Sequence, residues 1–156
     1  MSFEANLTAL NVELPPAPKA MGLYKPAMIT VGNLVYLSGH GPLSPDGTLQ
    51  LGKVGQDVDQ VVGNAAARQT GLAMLATLKA HLGSLDKIKR LVKTFGMVNC
   101  VDDFTQQPAV INGFSELMKE VFGEDCGVAA RSAIGVNSLP AGMTVEVEAI
   151  FELNAE

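Results

Sequence analysis

The sequence predicts an α+β fold, one mixed sheet with two helices packed on one face, and three observations carry that prediction. Apolar residues recur at helical spacing along residues 54–82 (Val58, Val61, Val62, Ala65, Ala66, Leu72, Leu75, Leu78 and Leu82) and again along 106–122. β-prone runs at 28–31, 34–38, 88–101 and 128–152 flank and separate those stretches. Glycine, proline and asparagine pairs punctuate the boundaries. Hairpin-linked strands with segregated helices, rather than strictly alternating βα units, give this layering.

Taken in order, residues 1–26 read as irregular. Leu14-Pro-Pro-Ala-Pro18 lacks amide donors and has fixed backbone angles, so residues 1–18 are expected to form an extended arm on a single domain spanning 1–156. The runs at 28–31 and 34–38 are separated by Gly32-Asn33, a tight-turn signal, and predict a hairpin. A loop from Gly39 to Gly47 follows, closed by Pro45-Asp46-Gly47, with a short third strand possible before the long helix. Gly83 stops that helix. Residues 88–101 predict a strand, and Asp102-Asp103 are expected to cap the second helix, with Pro108 in its first turn and Gly123 at its end. The last two β runs, joined by Leu139-Pro-Ala-Gly142, predict a closing hairpin-like pair.

Composition narrows the partners. With 156 residues, 47% hydrophobic and only 17% charged, the chain builds one core and is poor in charge for a small monomer, so a second subunit is the expected cover for the sheet's other face. The net charge of −5, spread along the chain, disfavours nucleic acid as partner. Cys100 and Cys126 fit no metal spacing and read as reduced thiols, two separated histidines add no metal site, and no window reaches a membrane span's length. The N-terminus has Glu4 and no signal-peptide pattern, so a soluble, cytoplasmic protein is expected.

Candidate chemistry is sparse. Arg131, one of three arginines, sits among alanines and a serine. Its guanidinium fork suits either a structural ion pair with Glu146 or Glu148 or the seating of a carboxylate ligand. Glu146 and Glu148 alternate with Val145 and Val147, so both point to one face, as solvated charges or, if desolvated, as a proton carrier. Ser38-Gly39-His40-Gly41 begins a loop where backbone amides and the Ser38 or His40 side chains could meet a polar ligand, although a turn alone would also account for the glycines. Tyr24 either packs the arm or offers its hydroxyl to a cleft, and His81 reads as a surface residue at a helix C-terminus. Cys126, beside Glu124 and Asp125, is poorly placed for a thiolate.

Several of these pieces occur in an order that resembles the RidA (YjgF-like, endoribonuclease L-PSP) family: Gly22-Leu-Tyr24, Leu37-Ser38-Gly39 with Gly41-Pro42, Gln56 and Asn64, Asp103-Phe104, Ala130-Arg131-Ser132, Leu139-Pro140 and Val145-Glu146-Val147-Glu148-Ala149. The resemblance implies a chorismate-mutase-like protomer in a homotrimer with intersubunit clefts. It further implies a cofactor-independent deaminase that hydrolyses 2-aminoacrylate-type enamines and imines to 2-keto acids and ammonia. Arg131 would bind the substrate carboxylate, Glu146 would position water or relay a proton, and Tyr24, Ser38, Gly39 and His40 would line the cleft. The chain departs from the family pattern at His40 in place of glutamine, at Thr105-Gln-Gln-Pro108 where an asparagine is usual, at Ala133 in place of cysteine, and in an insertion at 123–130. These mark a divergent subfamily, for which the alternative is a noncatalytic trimer that binds a small carboxylate metabolite or a partner protein.

Overall fold

The computed structural model describes residues 2–155. Five strands form one sheet in the order β1-β2-β5-β3-β4, where β1 is Ala27–Thr30, β2 Leu34–His40, β3 Ile88–Asn99, β4 Ala130–Val136 and β5 Val145–Leu153. All neighbours are antiparallel except β3 and β4, so the sheet is mixed, as expected. The helices α2 (Gln60–Leu82) and α3 (Gln107–Phe122) cover one face. Between the layers lie Val35, Val145, Val147 and Phe151 from the sheet, and Leu75, Leu78, Phe114 and Leu117 from the helices, all fully buried. Each such side chain contributes about 1.5–3 kcal/mol by leaving water.

The two helices touch closely because glycine faces glycine-sized gaps. A Cβ on Gly71 would come within 2.7 Å of Leu117, and one on Gly113 within 2.9 Å of the Asn64 carbonyl carbon. α2 is buried on most of its circumference, and its inward Thr70 returns its hydroxyl to the carbonyl of Ala66. Asp59 caps it through Val62 N, and Gly83 closes it at φ 81°, so the helix starts at Gln60 and not at Val54.

Four expectations are corrected. Residues 3–9 are not extended: Phe3–Ala9 is a helix, α1. Seven residues make a marginal helix alone; this one has Ser2 as N-cap, Asp86 Oδ1 accepting from the Phe3 and Glu4 amides, a Glu4–Lys79 ion pair, and Phe3 packed edge-on to Phe122. The closing hairpin is absent: β4 pairs in parallel with β3, and β5 inserts between β2 and β3. The link from β4 to β5 is a crossover with a 3₁₀ turn at Pro140–Gly142, where Ala141 and Gly142 both have positive φ. Asp102 and Asp103 do not cap α3, whose N-cap position is Gln106 without a side-chain bond. The possible third strand reduces to isolated bridges, Leu43↔Leu49 and Leu51↔Met143.

The alternation in β5 is as expected, with Val145, Val147, Ala149 and Phe151 turned to the helices and Glu146 and Glu148 turned away. That second face also carries Met28, Tyr36 and Ile134, each more than two-fifths exposed. Among the described residues no helix is long and apolar enough to cross a membrane.

Candidate functional site

β2 and β5 part where an extra residue enters β2. Leu37 pairs with Ala149, yet His40 pairs with Val147, so three steps on β2 match two on β5. Such a bulge re-aims side chains: Leu37 and His40 both face the helices, and Ser38-Gly39 is presented to a cavity of about 610 Å³. Tyr24, Ser38, Gly39, His40 and Glu146 line it, so five of the six residues chosen from sequence come together. Pro18, Met21 and Pro26 of the N-terminal segment form one wall, and Leu43, Leu49, Pro140 and Met143 another. Ser38 Oγ donates to the Lys25 carbonyl at 2.6 Å and its amide to that of Pro26 at 3.0 Å, which fixes the segment bearing Tyr24 against the bulge. The Tyr24 hydroxyl accepts from the Met21 amide at 3.2 Å.

Gly39 has a specific steric task. A Cβ there would overlap the Glu146 carboxylate, reaching 2.7 Å from Cδ and 3.1 Å from Cγ. Glycine therefore lets the carboxylate lie directly against the β2 backbone. The Glu146 carboxylate is half-buried, and among the described residues it makes no hydrogen bond or ion pair with a side chain. Burial, followed by repulsion from Glu148, pushes its pKa above the ordinary 4.5. A carboxyl group so held can take or give a proton nearer neutrality than a solvated one.

His40 lines the cavity, but its ring is only 4% exposed and is committed to the core. Nδ1–H donates to the Ser38 carbonyl at 2.7 Å, and Nε2 accepts from the Thr77 hydroxyl on α2 at 2.8 Å. Burial lowers its pKa, which keeps the ring neutral in this tautomer. The ring ties the bulge to α2. His81 is exposed, as expected, and donates from Nδ1 to the Thr77 carbonyl.

Arg131 stands elsewhere. It lies opposite Thr94 on the helix face of the sheet edge, and Nη1 donates to Asn112 Oδ1 at 2.9 Å and Ser115 Oγ at 3.1 Å. The expected ion pair with Glu146 or Glu148 is overturned, because β3 separates β4 from β5 and the glutamates point to the other face. Arg131 aligns through Thr94 with Ala149, three residues from Glu146. Two strand spacings and three residues along a strand set the two Cα positions roughly 14 Å apart. No carboxylate among the described residues pairs with the guanidinium, whose pKa burial lowers without discharging it. It is held by neutral acceptors and keeps its charge.

Asn112 and Ser115, which accept from the guanidinium, are not among the residues selected from sequence. Their signal is visible in the sequence: two short polar residues three apart in the otherwise apolar stretch 108–115 of α3, hence on one face. Within residues 123–130, expected as an insertion, Glu124–Gly127 forms α4, packed on α3 where Gly127 meets the Met118 carbonyl, and the segment does not line the cavity. Both cysteines are free, and no cluster of three or more His, Cys, Asp or Glu side chains among the described residues is placed to hold a metal.

A family model described as "YjgF/chorismate mutase-like, putative endoribonuclease" matches residues 4–150. The chain is 33% identical over 141 residues to a 2-iminobutanoate/2-iminopropanoate deaminase of Dermatophagoides farinae, covering 89% of this chain and 92% of that one. A crystal structure of an Agrobacterium tumefaciens protein of unknown function superposes with TM-score 0.87 at 39% identity, covering 97% and 94% of the two chains. RidA from an Antarctic Psychrobacter superposes with TM-score 0.62 at 29% identity, over 91% and 98%.

Proposed function

This chain belongs to the YjgF/chorismate mutase-like family, and from that premise we propose that it is a deaminase hydrolysing 2-imino acids and their enamine tautomers to 2-keto acids and ammonia. The observation that carries this reading is the Glu146 carboxylate, half-buried against Gly39, without a donor among the described residues, and raised in pKa in a cavity large enough for a small acid. An iminium carbon is already electrophilic, so little more is required than orientation, one water molecule and a proton carrier. In this scheme Glu146 takes a proton from water as its oxygen bonds to C2. The carbinolamine nitrogen receives that proton and leaves as ammonia, the C2 hydroxyl becomes the keto oxygen, and the released protons leave as ammonium. Arg131 binds the substrate carboxylate with its fork. Tyr24 and Ser38 shape the cleft.

Arg131 and Glu146 on opposite faces of one protomer cannot clamp one small molecule together. We therefore propose that a second copy contributes the arginine, as in a head-to-tail ring, with a trimer as the assembly. The exposed Met28, Tyr36 and Ile134 on the uncovered sheet face support such burial.

The test is a coupled assay: a serine dehydratase supplies 2-aminoacrylate, semicarbazide traps what persists, and keto-acid release is followed with and without this protein. The proposal expects acceleration that Arg131→Ala abolishes. No acceleration, or equal acceleration by the variant, would overturn it. Light scattering tests the assembly, and a monomer at assay concentration would refute the shared site. The inserted α4 immediately before the Arg131 strand favours a second reading, a noncatalytic binder of a small carboxylate; binding of 2-ketobutyrate without turnover would support it.

A further inference from the structure

Resting on the deaminase reading, we propose that this site is built for 2-imino acids with an extended apolar side chain, such as those derived from leucine or methionine, in preference to the three-carbon compound, and that Leu43, Leu49 and Met143 determine the preference.

The order of groups along one stretch of backbone carries the inference. At Gly39 the space a Cβ would occupy is taken by the Glu146 carboxylate. Two residues on, at Gly41, the corresponding space is taken by the Met143 thioether, with Cε at 3.4 Å and Cγ at 3.5 Å. Two further on, Leu43 bridges to Leu49 across a turn. All of these residues line the cavity, which therefore changes from ionisable to apolar over four residues, at most about 13 Å of extended chain. A 2-imino acid has that polarity: a reacting carbon at one end and, when derived from leucine or methionine, a hydrocarbon or thioether at the other.

The apolar wall is preformed. The Leu43–Leu49 turn is closed by Ser44 N to Thr48 O at 2.8 Å and by Asp46 Oδ1 accepting from the Thr48 amide and hydroxyl. Gln69 of α2 donates to the Leu43 carbonyl at 2.5 Å. The Thr144 amide donates to the Gln50 carbonyl and the Gly52 amide to that of Gly142, which fastens the turn to the segment carrying Met143. Size agrees. Even at the roughly 30 Å³ that a water molecule takes in the liquid, the six non-hydrogen atoms of 2-iminopropanoate fill about 180 Å³, under a third of the 610 Å³ cavity.

The chemical step is unchanged by the side chain: R–C(=NH₂⁺)–COO⁻ and water give R–CO–COO⁻ and ammonium. D-amino-acid oxidase generates the imines of D-alanine, D-leucine and D-methionine in turn, and semicarbazide competes with the protein for each. The inference expects kcat/KM for the leucine- and methionine-derived imines at least about tenfold above the alanine-derived one, the lower bound for added methylenes in an apolar pocket. It also expects Leu49→Gln and Leu43→Ala to bring that ratio near one. A ratio at or below one in the wild type, or a ratio untouched in variants whose thermal unfolding matches the wild type, would overturn the inference and leave the deaminase reading standing. Failure to hydrolyse any of the three imines would overturn both.

Discussion

Replacing Gly39 with alanine should separate catalysis from stability. Gly39 does not have positive φ, so alanine fits its backbone without strain. The new methyl group would stand 2.7 Å from Glu146 Cδ, whereas carbon atoms settle at about 3.5–4.0 Å. The carboxylate must therefore move by about 1 Å, and as the far end of a flexible side chain in an open cavity it can. The fold gains roughly 0.4–1 kcal/mol from the stiffer unfolded chain and loses a comparable ~0.5–1.5 kcal/mol to a displaced rotamer. Net stability stays within about 1 kcal/mol, or ~2–4 °C in Tm for a chain of this size. Catalysis does not share that tolerance, since a 1 Å misplacement of a reacting group costs on the order of 100-fold. Differential scanning fluorimetry and the imine-trapping assay on the same preparation give both numbers. Wild-type kcat/KM in Gly39→Ala would refute the role given to the Glu146–Gly39 contact. A Tm loss beyond about 10 °C would show that the glycine serves packing instead.

Glu146→Gln should lower kcat by about 10²–10⁴-fold, the usual worth of a positioned base, and remove an acid limb from the pH profile of kcat/KM that lies above pH 4.5, because burial and Glu148 raise this pKa. A group bound more tightly to its proton when folded stabilises fully below 4.5 and loses that contribution as pH rises through its folded pKa, so the same variant should melt slightly higher than wild type at pH 8 and no higher at pH 4. Arg131→Lys keeps the charge but not the fork that engages Asn112 and Ser115, and KM should rise about tenfold with a smaller change in kcat, as read from steady-state kinetics. His40→Ala empties a core position that is 4% exposed and removes the shorter of the Thr77 hydroxyl's two contacts, for a cost of about 3 kcal/mol, seen as a Tm lower by about 6–12 °C. Because burial depresses the His40 pKa, the unfolded chain takes up the proton first; wild-type stability should fall as pH drops below 6.5, and His40→Ala should flatten that part of the curve.

Local signals carried most of the fold. Gly32-Asn33, Gly83 and Gly123 each fixed an element boundary by a backbone conformation that sequence reveals, and the Val-Glu alternation of β5 gave its two faces correctly. Pairing partners were a different matter. β4 and β5 are adjacent in sequence and joined by turn residues, which is the usual pattern of a hairpin, yet the edge position of β4 and its parallel match to β3 depend on which strand has an open side after β2, β3 and β5 have met. No local feature encodes that. The same holds for α1, whose helix rests on Asp86, Lys79 and Phe122, all more than seventy residues away. The site divides along the same line. Tyr24, Ser38, Gly39 and Glu146 are motif residues that meet in the cavity, while His40, expected as a loop residue open to a ligand, borders the same cavity but is turned into the core by the bulge, which no local signal reveals.

The support of Arg131 comes from the helix layer and not from the segment that precedes its strand. Asn112 and Ser115, which orient the guanidinium, ride on α3. That helix is locked against α2 at Gly113 and Gly71, where backbone and side chains approach too closely for a Cβ. One turn beyond Ser115, the Met118 carbonyl seats Gly127 of the inserted α4, and Lys119 pairs with Glu124. The insertion therefore braces the same helix that aims the arginine and leaves the acceptors themselves untouched. Neutral acceptors matter here: a carboxylate in the place of Asn112 would hold the side chain equally well but cancel its charge, and a guanidinium already neutralised offers little to an incoming carboxylate. Arg131 is thus fixed from the helix layer and Glu146 from the sheet layer. Within one protomer neither neutralises the other, and in the assembly proposed above that separation would leave a cation and a base both available to one ligand.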